Sequence, residues 1–143
     1  MDVRLSVRPG RECMVVEVAG DLDMATAPQL RDGLQRVLEA GTHNVVVDLA
    51  GVGFMDSSGL GALVVMFNAA RERGGRLCLA AAQRPVRTLL TVTSVDQAIA
   101  IYDTVLAAEA RHATRRGLSG RQPGSGGLAR PGSAPAPVRR NCG

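Results

Sequence analysis

From Asn44 to Leu49 the chain reads NVVVDL, where three successive valines put apolar side chains on both faces of any strand they form. A strand alternates its side chains between the two faces of its sheet. Apolar residues on both sides need cover on both sides, which is the condition of an interior strand in a parallel sheet. Parallel neighbours cannot be joined by a tight hairpin and require crossovers, usually helical. The rest of the chain should therefore alternate short strands with amphipathic helices, with Asn44–Leu49 central in the sheet.

The flanking sequence has that alternation. CMVVEVAG, from Cys13 to Gly20, is rich in β-branched residues and ends at a glycine, as strands do, and a shorter strand, VRLSV, precedes it. ATAPQLRDGLQRVLEAG spaces Leu30, Leu34, Val37 and Leu38 as one helical face, with Thr26 and Gln29 at capping-box spacing and Gly41 as its stop. Beyond the central strand, Leu60, Leu63, Val64 and Phe67 repeat at helical intervals until the paired glycines of RERGG. RLCLA is a further strand, and PVRTLLTVT a helix with Pro85 in its first turn. A last short strand near AIAIY leads to Asp103, which is expected to cap a helix through Leu106 and Ala110. The class is α/β.

A chain of 143 residues accommodates one ordinary domain with its own core. Its charge is divided by position: residues 1–110 carry 10 Arg and 13 acids, residues 111–143 carry 7 Arg and no acid. The last 27 residues contain 7 Gly, 4 Pro, 3 Ser and 4 Arg, too little apolar surface to offset the entropy of ordering them. The expectation is a domain over 1–112 and a disordered Arg/Gly/Pro-rich tail over 113–143. With no aromatics in the tail to stack on bases and its arginines dispersed, no specific nucleic-acid binding is expected. Lysine is absent, which excludes a P-loop, a Schiff base or a lysine general base. The N-terminus has no apolar signal region, and the longest uncharged stretch after it is shorter than the ~20 residues of a membrane span, so a cytoplasmic protein without membrane contact is expected. Cys13, Cys78 and Cys142 have neither disulfide nor zinc spacing, and the first two fall in strand-like runs that suit buried thiols.

FMDSSGLG, from Phe54 to Gly61, joins the central strand to the next helix. It sets two hydroxyls beside a carboxylate and puts two glycines in the helix's opening turns. A nucleophile elbow, G-x-S-x-G, fails because Met55 and Asp56 stand two residues before Ser57 and Ser58. His43 precedes the strand whose far end feeds the motif, roughly 15 Å or more away at ~3.3 Å per residue, so a serine hydrolase is a remote alternative. G-x-G-x-x-G fails as well, with Asp56 or Val64 at its third glycine position. Each helical glycine costs ~1 kcal/mol relative to alanine, so Gly59 and Gly61 need a reason. Bare backbone gives access. If Ser57 caps the helix, Ser58 at the first helical position projects outward over an unobstructed surface, available as a substrate for another protein's active site. Phosphorylation there would add about −1.5 to −2 charges, favoured by the helix N-terminus and opposed by Asp56 and Asp23. At a docking interface it would act as a repulsive switch.

GDLDMATAPQLRDGL, NVVVDLAGVGFMDSSGLGALV and VRTLLTVTSVDQAIAIYDT resemble, in order and spacing, the anti-sigma factor antagonists of the STAS domain family, over about residues 3–112. The resemblance implies a mostly parallel or mixed sheet of about four to five strands flanked by about four helices, no catalytic activity, and no cofactor or metal. It implies as partners an anti-sigma factor that is also a serine kinase, and a serine phosphatase that reverses its action. The family's acceptor, the second serine of D-S-S-G, falls on Ser58, and the contact surface on Asp23, Asp56, Ser57, Gly59 and Gly61. Within the same fold the alternative is a STAS scaffold subunit of a sensory or transport complex. The family's G-E-L-D turn corresponds to Gly20, Asp21, Leu22 and Asp23, with Asp21 keeping the charge and shortening its reach. Ser94 stands where relatives commonly carry glycine, so the end of the third helix is expected to be shaped differently. Asp48, Asp21 and Asp23 also have a plain structural reading as caps of loop amides.

Overall fold

The computed structural model describes residues 3–111. Five strands form one sheet in the order β1 (Arg4–Pro9), β2 (Met14–Ala19), β3 (Asn44–Gly51), β4 (Arg76–Ala80) and β5 (Ile101–Tyr102). β1 runs antiparallel to β2, and β2 to β5 are parallel, so the sheet is mixed and NVVVDL lies at its centre. The crossovers are α1 (Ala27–Glu39) between β2 and β3, α2 (Ser57–Glu72) between β3 and β4, and α3 (Arg84–Val92) with a 3-10 turn (Val95–Gln97) between β4 and β5. A further helix, α4, spans 105–111.

Because the parallel strands are laid down in sequence order, right-handed crossovers put all their helices on one face. That face carries the larger core: Val16, Val18, Val45, Val47, Leu77 and Leu79 of the sheet meet Leu30, Leu34 and Leu38 of α1, Leu63 and Phe67 of α2, and Val86 and Leu90 of α3. Among the described residues, α4 alone covers the opposite face. Its layer is built from small side chains, Cys13, Val15, Val46, Cys78, Ala80, Ala100 and Ala108, with Tyr102 and Val105 against them. The two thiols, Cys13 and Cys78, are buried there. Glu109 of α4 is buried, accepts the Arg11 amide at 3.1 Å and pairs with Arg8 at 3.6 Å, which clasps the helix to the β1–β2 hairpin.

Three details differ from the sequence expectation. Asp103 does not cap α4; Thr104 Oγ1 accepts the Ala107 amide at 3.0 Å, while Asp103 pairs with Arg87 at 2.9 Å. Thr26 stands at the N-cap of α1 without a side-chain bond to the helix, so the capping box with Gln29 does not form. Ser94 adopts φ +64°, the left-handed conformation that glycine takes freely, so the end of α3 keeps the glycine-type backbone and carries its strain. The expected tail, 113–143, lies outside the described residues, as do His112 and Cys142.

Candidate functional site

The carboxyl ends of β2 and β3 deliver two loops to the same edge of the sheet, the edge where parallel α/β folds place their working surfaces. Past the strands, Gly20 N donates to Gly51 O at 3.0 Å, Leu22 N to Phe54 O at 2.9 Å and Asp56 N to Leu22 O at 3.0 Å. Leu22 and Met55 form an isolated parallel bridge, and both side chains are buried. The loop before α1 and the loop before α2 are thus zipped through Leu22, which brings Asp21 and Asp23 to the tip carrying Asp56, Ser57 and Ser58.

The N-cap of α2 is Asp56, not Ser57. Asp56 has extended backbone at φ −111° and ψ −171°, and its Oδ1 accepts from Ser58 N at 2.8 Å and Gly59 N at 3.3 Å. A carboxylate at this position satisfies two orphan amides and complements the positive end of the helix. Ser57 becomes the first helical residue, the position the capping argument gave to Ser58, and Ser58 the second, so that argument does not select Ser58 as the outward hydroxyl. Ser57 is exposed and Ser58 half-buried. Among the described residues neither serine hydroxyl is engaged in a hydrogen bond.

The two glycines have different reasons to be there. A Cβ on Gly59 would lie 2.7 Å from Leu22 Cβ, 3.0 Å from Leu22 O and 3.1 Å from Met55 Cγ, so this glycine lets α2 seat against the zipped loops. Gly59 is buried and offers no access, contrary to the sequence expectation. Gly61 has nothing within 4 Å of an added Cβ and lies exposed one turn beyond the serines, so the open-surface reading holds for Gly61 alone.

In the neighbouring loop Thr26 is fully buried, donates its hydroxyl to Asp21 O at 2.7 Å and accepts from Asp23 N at 3.0 Å. Asp23 Oδ1 accepts from Ala25 N at 2.9 Å and Thr26 N at 3.1 Å. Asp48 Oδ1 likewise accepts from Ala50 N at 3.0 Å. The structural readings of Asp23 and Asp48 as loop caps therefore hold, and one oxygen of each carboxylate is committed. Sequence reasoning missed Met24 and Phe54, large apolar side chains left 77% and 49% exposed on the two loops beside the serines. The sequence does not single them out, because Leu22 and Met55 are apolar residues of the same two loops and are buried.

The chemistry of this edge is acidic, hydroxylic and apolar. The histidine within the described residues, His43, sits before the amino end of β3 with its carbonyl accepting from Arg76 N, at the far edge from the serines. Among the described residues no three His, Cys, Asp or Glu side chains are grouped to hold a metal, and no helix is long and apolar enough to cross a membrane. A family profile described as "STAS domain" matches residues 4–108. The chain belongs to the STAS domain family. The anti-sigma-B factor antagonist of Bacillus subtilis (strain 168) is 31% identical over 101 residues, spanning 71% of this chain and 92% of the relative. The anti-sigma-B factor antagonist of Staphylococcus epidermidis is 35% identical over 80 residues, 56% of this chain and 74% of the relative. Among solved structures, an anti-sigma factor antagonist from Mycobacterium paratuberculosis superposes with a TM-score of 0.70 at 27% identity, covering 76% of this STAS domain chain and 92% of the other. The relatives of this STAS domain are antagonists of anti-sigma factors, and its α/β architecture is theirs.

Proposed function

We propose that this STAS domain is a non-enzymatic, cytoplasmic antagonist that binds a kinase-type anti-sigma factor, frees the sigma factor held by it, and is switched off by phosphorylation of Ser58. The observation that carries the reading is the tip of α2: an unengaged hydroxyl in the first turn, a bare glycine one turn further on, and, among the described residues, no histidine beside it to make it a nucleophile, the adjacent Asp56 carboxylate being committed to the helix amides. A group so placed suits the active site of another protein. The kinase would transfer the γ-phosphoryl of ATP to Ser58 Oγ, with ADP leaving and the hydroxyl proton passing to the kinase's own base. A serine phosphatase would hydrolyse the ester and restore the free alcohol.

The contact surface we assign comprises Asp23, Asp56, Ser57 and Gly61, with Met24 and Phe54 as apolar anchors on either side. Gly59 contributes by letting the tip pack, not by touching the partner. A dianion introduced in that surface must be stripped of water when the partner docks, and an unpaired buried charge is costly enough to reverse binding. The test is to incubate the protein with its anti-sigma kinase and magnesium ATP, locate the phosphate by mass spectrometry, and compare kinase binding before and after. Phosphate on Ser58 with loss of binding is expected. Phosphate on Ser57, no phosphate, or undiminished binding by the phosphorylated chain would overturn the reading.

A further inference from the structure

A phosphate on a helix tip ordinarily folds back onto the open amides of the first turn, where the helix dipole favours it. In α2 that place is taken. Asp56 Oδ1 accepts from the amides of Ser58 and Gly59, the first being the amide of the acceptor residue itself. The backbone that carries this carboxylate is held on both sides, Asp56 N donating to Leu22 O at 3.0 Å and Asp56 O accepting from Leu60 N at 3.0 Å. Asp56 is half-buried, and its short side chain on that backbone keeps the carboxylate within reach of both amides.

We infer that Asp56 is the positioning residue of the switch: by filling the amide site at the tip of α2 it denies that site to a phosphate on Ser58 and leaves the dianion turned outward, into the surface a partner covers. The inference rests on the reading of Ser58 as acceptor. A phosphate allowed to cap the helix would have its charge partly neutralised by the amides and would lie against the protein. Kept off them, it meets the partner with its charge undiminished. A small domain with no arginine among its contact residues obtains a strong repulsive signal in this way.

Asparagine and alanine separate the two parts of this role. Asp56→Asn keeps an oxygen on the amides and removes the charge; Asp56→Ala vacates the amides. The other charged groups on this edge, Asp21 and Asp23 of the adjoining loop, Asp48 in the carboxyl half of β3, Arg84 and Arg87 of α3 and Asp103 after β5, are common to all variants, so differences between variants report Asp56. The experiment is to install phosphoserine at position 58 of the full chain during synthesis, in the native sequence and in both variants. The phosphorus resonance and the amide resonances of residues 58 and 59 are then followed from acid to neutral pH. The second phosphate pKa should be highest in the native chain and lower by about half a unit in Asp56→Asn, as expected for removal of a neighbouring carboxylate. In Asp56→Ala it should fall further, and only there should the two amides move with the phosphate titration.

Equal pKa values in the native chain and Asp56→Asn, or amides that follow the phosphate in the native chain, would overturn the inference. Should Asp56→Ala fail to fold, the native and asparagine spectra decide it. Since the phosphoserine is installed without a kinase, a kinase that ignores Ser58 would sink the proposed function and leave this result standing.

Discussion

Two helix tips meet at the carboxyl edge of the sheet, and similar residues finish them in opposite ways. At the tip of α1, Asp23 and Thr26 turn their polar atoms inward, the buried hydroxyl tying Asp21 to Asp23, and Pro28 in the first turn has no amide to satisfy. At the tip of α2 a single carboxylate does the capping, and the two hydroxyls that follow are left unengaged beside a bare glycine. The first tip is closed on itself and positions the second. The surface proposed for docking can stay unsatisfied because its neighbour has taken over the structural duty.

If this division holds, substitutions at the buried groups that tie the loops together, Leu22, Thr26 and Gly59, should lower stability without changing partner affinity per folded molecule, and substitutions at exposed positions of the α2 tip should do the reverse. Leu22→Ala has the largest expected effect. The side chain is fully buried at the junction of the two loops, and its loss should cost about 3 kcal/mol in urea unfolding, within the usual range for a buried leucine. Thr26→Val keeps the shape but leaves Asp21 O and Asp23 N without their hydroxyl, at about 2 kcal/mol. The two glycines sharpen the contrast further. Gly59→Ala forces a methyl against Leu22 and should destabilise by about 1–2 kcal/mol, overpacking outweighing the gain in helix propensity. Gly61→Ala meets nothing and should stabilise by about 0.5–1 kcal/mol, while a bulkier Gly61→Gln should weaken binding of the anti-sigma factor in a titration without loss of stability. A Gly61→Gln chain that binds as tightly as the native one would remove Gly61 from the docking surface.

The fold was legible because hydrophobic periodicity is imposed by burial itself. Three valines in succession at 45–47 need cover on both faces, and β3 has it. Leu30, Leu34 and Leu38 face the sheet because a helix has one stripe to bury. The misplaced caps and the reading of the two glycines concern neighbours of equal local merit. Asp56 and Ser57 are both good caps, as are Asp103 and Thr104, and sequence spacing cannot choose between them. The choice is made by distant partners: Leu22 O fixes the backbone at Asp56, and Arg87 draws Asp103 away. In the same way Gly59 and Gly61 read alike in sequence, since what a missing side chain makes room for is decided by a loop more than thirty residues earlier, at Leu22. The glycine-type backbone at Ser94 is a related case, in which tertiary packing retains a conformation the residue itself disfavours.

The layer beneath α4 sets a limit on how the chain can be shortened. Its side chains are mostly alanine and cysteine, so the helix lies close on the sheet, and Glu109 is the clasp that keeps it there. A protein cut before residue 105 would bare Val15, Val46, Cys78 and Ala80 as a level, greasy strip, with Tyr102 the large side chain left against it. Such a truncated chain should stick to its own copies, even though every residue at the α2 tip would still be in place.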